Sequence, residues 1–339
     1  MNPVPSDSGP LLKKRRQSSA RLEFKENNIN NIIDFLNENS EPQIFKGKLC
    51  GIKPSLLLWL VNALCFVIHT GMGIAVLVQG AKGGDALAIQ TKTMVAIWQN
   101  RTTEGYTFEV KNADLVLRLD YLCATFAFLS SLSHFVICCF SHFGHTRNIF
   151  NLKYYYYGLY QCLVPWRWVE YSLSAPVMAV AICLTAGIRD VNLLAAGFFL
   201  QMSTILFGWL TEVFATPIYD HENNTRSWAT KSVFSRLLPY FFGWIPYICA
   251  WAIFVAQFFR NVKAAKDSNP DGLRMPDFVY VIVLSEVLVF SLFAIPLPLY
   301  QAQEPNKYYQ SEIWYAFLSL TSKTLLNGLL LANVFVFSN

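Results

Sequence analysis

Apolar residues gather along the chain into seven long runs, near 54–79, 113–141, 159–188, 190–216, 237–259, 277–300 and 311–336. About 20 residues of helix cross the hydrocarbon core of a bilayer, so each run predicts a spanning helix. The pattern predicts an all-α fold: a seven-transmembrane-helix bundle over 54–336, preceded by a polar tail over 1–53. The segment 81–112 is too long for a plain connection and predicts structure of its own. Its stretches 93–98 and 106–110 are rich in β-branched and aromatic residues and flank the polar turn 100–105, which reads as a β-hairpin. In the tail, Ile29, Ile32, Ile33 and Leu36 follow helical spacing and predict a short amphipathic helix. Such a helix lies on the bundle or membrane surface, or docks a partner; the Asn-rich flanks leave disorder as a third reading.

Composition agrees with lipid as solvent. Of 339 residues, 54% are hydrophobic and 14% charged, against about 25% charged in ordinary soluble domains. The net charge of +5 is spread over membrane edges and makes no nucleic-acid footprint. The first fifty residues hold no apolar core long enough for a cleavable signal peptide. The block Lys13-Lys14-Arg15-Arg16 before the first span predicts a cytoplasmic N-terminus. Seven spans then place the C-terminus and the hairpin outside. The outer loop 260–276 also carries Arg260, Lys263, Lys266 and Arg274, so the orientation rests on the N-terminal block. With that orientation the sequon at Asn100 faces outward and the one at Asn223 is silent. The eight cysteines show neither metal-ligand spacing nor a disulfide framework and read as small packing residues.

The chemistry concentrates in the last run. Lys323 stands about a dozen residues from either end, roughly 18 Å of helix, beyond the reach of a snorkelling side chain. A charge at that depth costs at least ~2.5–3.5 kcal/mol and needs a function or a partner. Two readings stand at this point: a lysine that condenses with an aldehyde in an apolar pocket, and a structural ion pair. The third run supplies the partner in Glu170, with Ser174 one turn on; Ser319 stands one turn before Lys323.

Arg167-x-x-Glu170 with Pro176 six residues after the Glu, together with a last-helix lysine, resembles the microbial-type rhodopsins. Within them the chain resembles the heliorhodopsins, in which a Glu in the third helix is paired with a Ser, rather than an Asp, one turn before the lysine. The resemblance covers about 54–336. It implies all-trans retinal covalently bound as a Schiff base on Lys323, with Glu170 as counter-ion and Ser174 and Ser319 beside it. It also implies histidines of the first two helices in a polar cavity, here His69 and His134, with Ser130 one turn before the latter. Each histidine also has a plain structural reading; as a pair they suit a proton-holding cavity. Aromatic pocket walls are expected from Trp244, Tyr247, Trp251, Phe290 and Phe293, with Pro296 and Pro298 loosening the sixth helix beside them.

The outward pumps of the wider family keep a carboxylate eleven residues after the counter-ion, where this chain has Ala181. With Ser319 replacing the second acid, the resemblance implies photosensing through a slow conformational change. The implied partners are retinal, the lipid bilayer, a second copy of the chain and a cytoplasmic signalling protein. Light-gated passive proton or ion conduction is the alternative, with Asp120, Glu212 and Glu286 as path residues; their plainer role is interfacial or interhelical hydrogen bonding. No Gly-x-Ser-x-Gly, His-Glu-x-x-His or histidine box points to an enzyme.

Overall fold

The structure, a computed structural model, describes residues 54–98, 106–142, 155, 158–159, 161–220, 225–227, 232–268, 275–301 and 305–335. All of them fall in the unit Gly47–Asn339. The tail with its expected amphipathic helix, the hairpin tip with Asn100, and Asn223 lie outside the described residues.

Helices dominate: α1 (Pro54–Gly83), α2 (Leu119–His142), α3 (Pro165–Thr185), α4 (Val191–Phe214), α5 (Val233–Ser268), α6 (Asp277–Leu292), the short α7 (Pro296–Gln301) and α8 (Tyr309–Leu330). Among the described residues six stretches are long and apolar enough to span a membrane: α1 to α5, and α6 continued through α7. In α8, polar residues at Ser311, Glu312, Ser319, Ser322, Lys323 and Asn327 all turn inward, which makes it the least apolar of the long helices. Leu56, Leu60, Leu64, Val67, Ile74 and Val78 form an exposed stripe on α1, while Asn62, Cys65, His69 and Val76 are buried. Apolar outside and polar inside is the pattern expected where lipid replaces water.

Local chemistry sets the helix ends. Pro165 opens α3 at a position where its missing N–H costs nothing. The turn before it is tight: Leu163 N donates to Gly158 O at 2.9 Å, and Cys162 adopts φ 54°. Asp190 caps α4, its Oδ1 accepting from Asn192 N at 3.0 Å and Leu193 N at 2.9 Å. Pro296 removes the N–H that would continue α6, so the helix ends at Leu292 and restarts as α7. At roughly 1.5 Å per residue, the 36-residue α5 outreaches the ~30 Å hydrocarbon core and extends beyond it.

The expected hairpin is present and larger than its local sequence predicts. Strand β1 (Ala88–Trp98) pairs antiparallel with β2 (Tyr106–Arg118), from Ala88↔Arg118 to Trp98↔Tyr106. Residues 113–118, expected to open the second span, are therefore strand, and α2 starts at Leu119. The ladder to residues 88–90 claims them, a partner that local hydrophobicity cannot reveal. Where the register slips after Gln90, Gln90 Nε2 reaches Ala113 O at 2.5 Å and Thr91 Oγ1 reaches Leu115 O at 2.6 Å, occupying carbonyls that the ladder leaves free. A second small hairpin, β3 (Ile218–Asp220) with β4 (Thr225–Ser227), was not expected. The large hairpin rests on the α3–α4 turn, where Lys92 N donates to Arg189 O at 2.8 Å. The same turn takes Asn261 Nδ2 of α5 on Ala186 O at 3.0 Å. The hairpin, the α3–α4 turn and the far part of α5 thus share one end of the bundle, and the starts of α3 and α8 lie toward the other.

Candidate functional site

Helical spacing assembles the centre. Glu312, Ser319, Lys323 and Asn327 recur at helical intervals on the buried face of α8. Arg167, Glu170 and Ser174 do the same on α3. Packing α2, α3 and α8 together brings Ser130, Glu170, Ser174 and Ser319 around one nitrogen. Lys323, 3% exposed, pairs with Glu170 Oε1 at 2.8 Å. Its Nζ also donates to Ser174 Oγ and Ser319 Oγ, each at 3.0 Å, and to Ser130 Oγ. Ser130 Oγ in turn donates to the same Glu170 oxygen at 2.5 Å. The Tyr171 ring centroid lies 5.3 Å from Nζ, close enough for a cation–π contribution. The lysine is thus fully partnered, which is the condition for keeping a charge in a dry interior.

On the α1–α2 side, His69 and His134 stack with ring centroids 5.6 Å apart and planes at 11°. Asn62 Nδ2 donates to Leu58 O at 2.8 Å, so its Oδ1 is an acceptor, and His134 Nδ1 lies 2.8 Å from it. That geometry assigns the proton to Nδ1 of His134. His69 is wholly buried, and neither ring nitrogen has a hydrogen-bond partner among the described residues.

On the opposite side of Lys323 a cavity of about 860 Å³, counting space open to its surroundings, runs between α3, α4, α5 and α6. Trp244, Tyr247, Phe290, Phe293, Ser174 and Lys323 line the cavity. Trp251 stands behind the lining, its ring 5.3 Å from that of Phe290. Ser319, Ser130, His69 and His134 lie outside the lining, grouped on the other side of the lysine–glutamate pair. Local reading missed Trp168, Tyr171, Met178, Gln201, Tyr240 and Tyr315, which line the cavity as well. Tyr315 was legible, since it stands two turns before Lys323 on the same face. Trp168 and Gln201 carried no local mark of their role.

Asp120 and Glu212 hold interhelical and interfacial bonds. Arg118 Nη2 pairs with Asp120 Oδ2 at 2.8 Å, and Glu212 joins Arg167, Trp168 and Tyr308. Glu286 differs: it is buried, and neither carboxylate oxygen has a hydrogen-bond partner among the described residues. Among the described residues no group of His, Cys, Asp and Glu could hold a metal.

A largely aromatic cavity lined in part by a buried amine that is paired with a carboxylate suits an apolar aldehyde. No curated protein matches the chain. Among solved structures it is similar to xanthorhodopsin, described as a light-driven ion pump with dual chromophore, at 13% identity and a TM-score of 0.52. That match covers 82% of this chain and 94% of the other. The fold is therefore that of the microbial rhodopsins. A family model described as Heliorhodopsin matches residues 58–335, and the chain belongs to the heliorhodopsin family: retinal-binding, multi-pass integral membrane proteins.

Proposed function

We propose that this heliorhodopsin is a light sensor built on seven spanning helices, with α8 as the seventh, a cytoplasmic N-terminus and the hairpin outside. The same reading divides the chain into a tail over 1–53 and a retinal-binding membrane domain over 54–336. The observation that carries it is Lys323, buried in the lining of the aromatic cavity with its Nζ 2.8 Å from Glu170 Oε1. Retinal joined through its aldehyde carbon to Lys323 supplies absorption of visible light and a change of shape on isomerisation.

The chain's own groups do the rest. Glu170 holds the positive charge of the Lys323 nitrogen in place, and Ser130, Ser174 and Ser319 orient it. When that nitrogen swings away from Glu170, its proton finds no acid at the position eleven residues on along α3, where Ala181 stands. The stacked His69–His134 pair has the right chemistry to take and return it. The proton stays within the bundle, which fits slow signalling by conformation better than pumping. A second copy of the chain and a cytoplasmic protein are the proposed partners. Replacing Lys323 by Ala tests the assignment: the purified variant given retinal is expected to show no visible band. A pigment of normal yield in that variant overturns it.

One observation favours a second reading, passive light-gated conduction. Glu286 is a buried carboxylate without a hydrogen-bond partner, and such a group within a span commonly marks an ion path.

A further inference from the structure

A second buried charge cluster lies at the bundle end opposite the large hairpin, where α3 and α8 begin. Arg167 pairs through Nη2 with Glu212 and through Nη1 with Glu312. All three are buried, the two carboxylates 0% and 6% exposed. One guanidinium therefore faces two carboxyl groups.

The two carboxyls are not equivalent. Glu212 accepts from four donors: Arg167 Nη2, Tyr308 Oη at 2.6 Å, Trp168 Nε1 at 2.6 Å and Val164 N at 3.3 Å. An acceptor surrounded only by donors is an ionised carboxylate, and it balances Arg167. Glu312 meets Arg167 as its polar partner among the described residues. Lys323 is already paired with Glu170, so an ionised Glu312 would share one guanidinium, that of Arg167, with the ionised Glu212. The place of Glu312 in the first turn of α8 favours an anion, but by less than the desolvation of a buried charge that is only partly offset costs. Beside it stands Tyr315, whose ring lies 4.2 Å from the Arg167 guanidinium and whose buried hydroxyl has no hydrogen-bond partner among the described residues, a polar atom free to bond the carboxyl in either protonation state.

We propose that Glu312, held by Arg167 beside Tyr315, is a reversible proton-binding site distinct from the Lys323–Glu170 centre, and that its occupancy tunes the chromophore. The ligand is a single proton, exchanged at the bundle end where α8 begins. Around the Arg167 guanidinium stand Tyr171 from α3, Glu212 from α4, and Tyr308 and Tyr315 from α8 and the turn before it. The start of α5 adds the buried guanidinium of Arg236 at the same bundle end. The coupling route is short. Arg167 stands one turn before Glu170, and Tyr171 Oη donates to Tyr315 O at 2.9 Å, while the Tyr171 ring lies 5.3 Å from Lys323 Nζ. Loss of the Glu312 proton adds a negative charge on the side of the nitrogen and is expected to shift absorption to the blue.

The spectral coupling rests on the retinal reading, whereas the proton itself can be seen without retinal. Two measurements on the full chain separate these. In the first, infrared spectra of the protein without retinal are compared for wild type and Glu312→Gln. A protonated-carboxyl band sensitive to deuterium exchange is expected in the wild type and lost in the variant. An unchanged band pattern overturns the proposal whatever the pigment does. In the second, the pigment is titrated at fixed ionic strength. The wild type is expected to shift blue as pH rises through a one-proton transition. Glu312→Gln is expected to stay in the acid form, and Glu312→Asp to keep the transition with a displaced midpoint. A transition that survives in Glu312→Gln, or that follows sodium concentration rather than pH, overturns the proposal. Absence of pigment in the wild type counts against the retinal reading alone, because the infrared arm still decides the proton.

Discussion

Glu170 serves two groups through one oxygen, Lys323 Nζ at 2.8 Å and Ser130 Oγ at 2.5 Å. Removing its charge leaves the lysine with hydroxyl partners only. Breaking a buried ion pair from one side costs about 3–5 kcal/mol. Replacement by Gln is therefore expected to lower the thermal stability of the pigment. It is also expected to red-shift absorption, because no anion then pins the positive charge at the nitrogen end. Spectra and bleaching temperatures of wild type and Glu170→Gln check both; an unmoved maximum means that another group balances Lys323. Glu170 and Lys323 were legible as a pair because each is an expensive charge within an apolar run. The third participant, Ser130, gained its meaning only by standing on a different helix at the same depth.

Among the elements, α4 starts at a well-defined cap. Asp190 binds two free N–H groups and adjoins the strand residue Lys92. Loss of such a cap costs about 0.5–2 kcal/mol. Asp190→Ala is expected to lower the unfolding temperature by a few degrees while leaving the absorption spectrum unchanged, since the cap lies at the hairpin end of α3 and α4, away from Lys323. Calorimetry or thermal bleaching reads the first effect and a spectrum the second; a spectral shift without destabilisation would contradict the structural role. The hairpin itself shows the limit of local reading. Its tip region was marked by aromatic and β-branched residues, but 113–118 looked like helix because their strand partner lies more than 20 residues away. Likewise α6 kept its apolar pattern through Pro296, and only the missing N–H shows where the helix stops.

For the whole molecule the open choice is between a closed sensor and a conductor. Whole-cell recording under illumination decides it. The sensor is expected to give no stationary current across an imposed proton gradient. Currents that reverse with the gradient, and that vanish in Glu286→Gln, would replace the sensor by a channel with Glu286 in its path.

Hydrophobic periodicity and the cost of buried charge determined the membrane bundle, the lysine and its counter-ion, because both are properties of one helix in a lipid solvent. Which faces meet is a property of several helices at once. Only the tertiary structure decided that Tyr171 stands beside the lysine and that Arg167 holds two carboxyls. It alone left Glu286 buried without a partner. Partners of that kind sit dozens to hundreds of residues apart in the chain, and nothing local reports the distance between them in space.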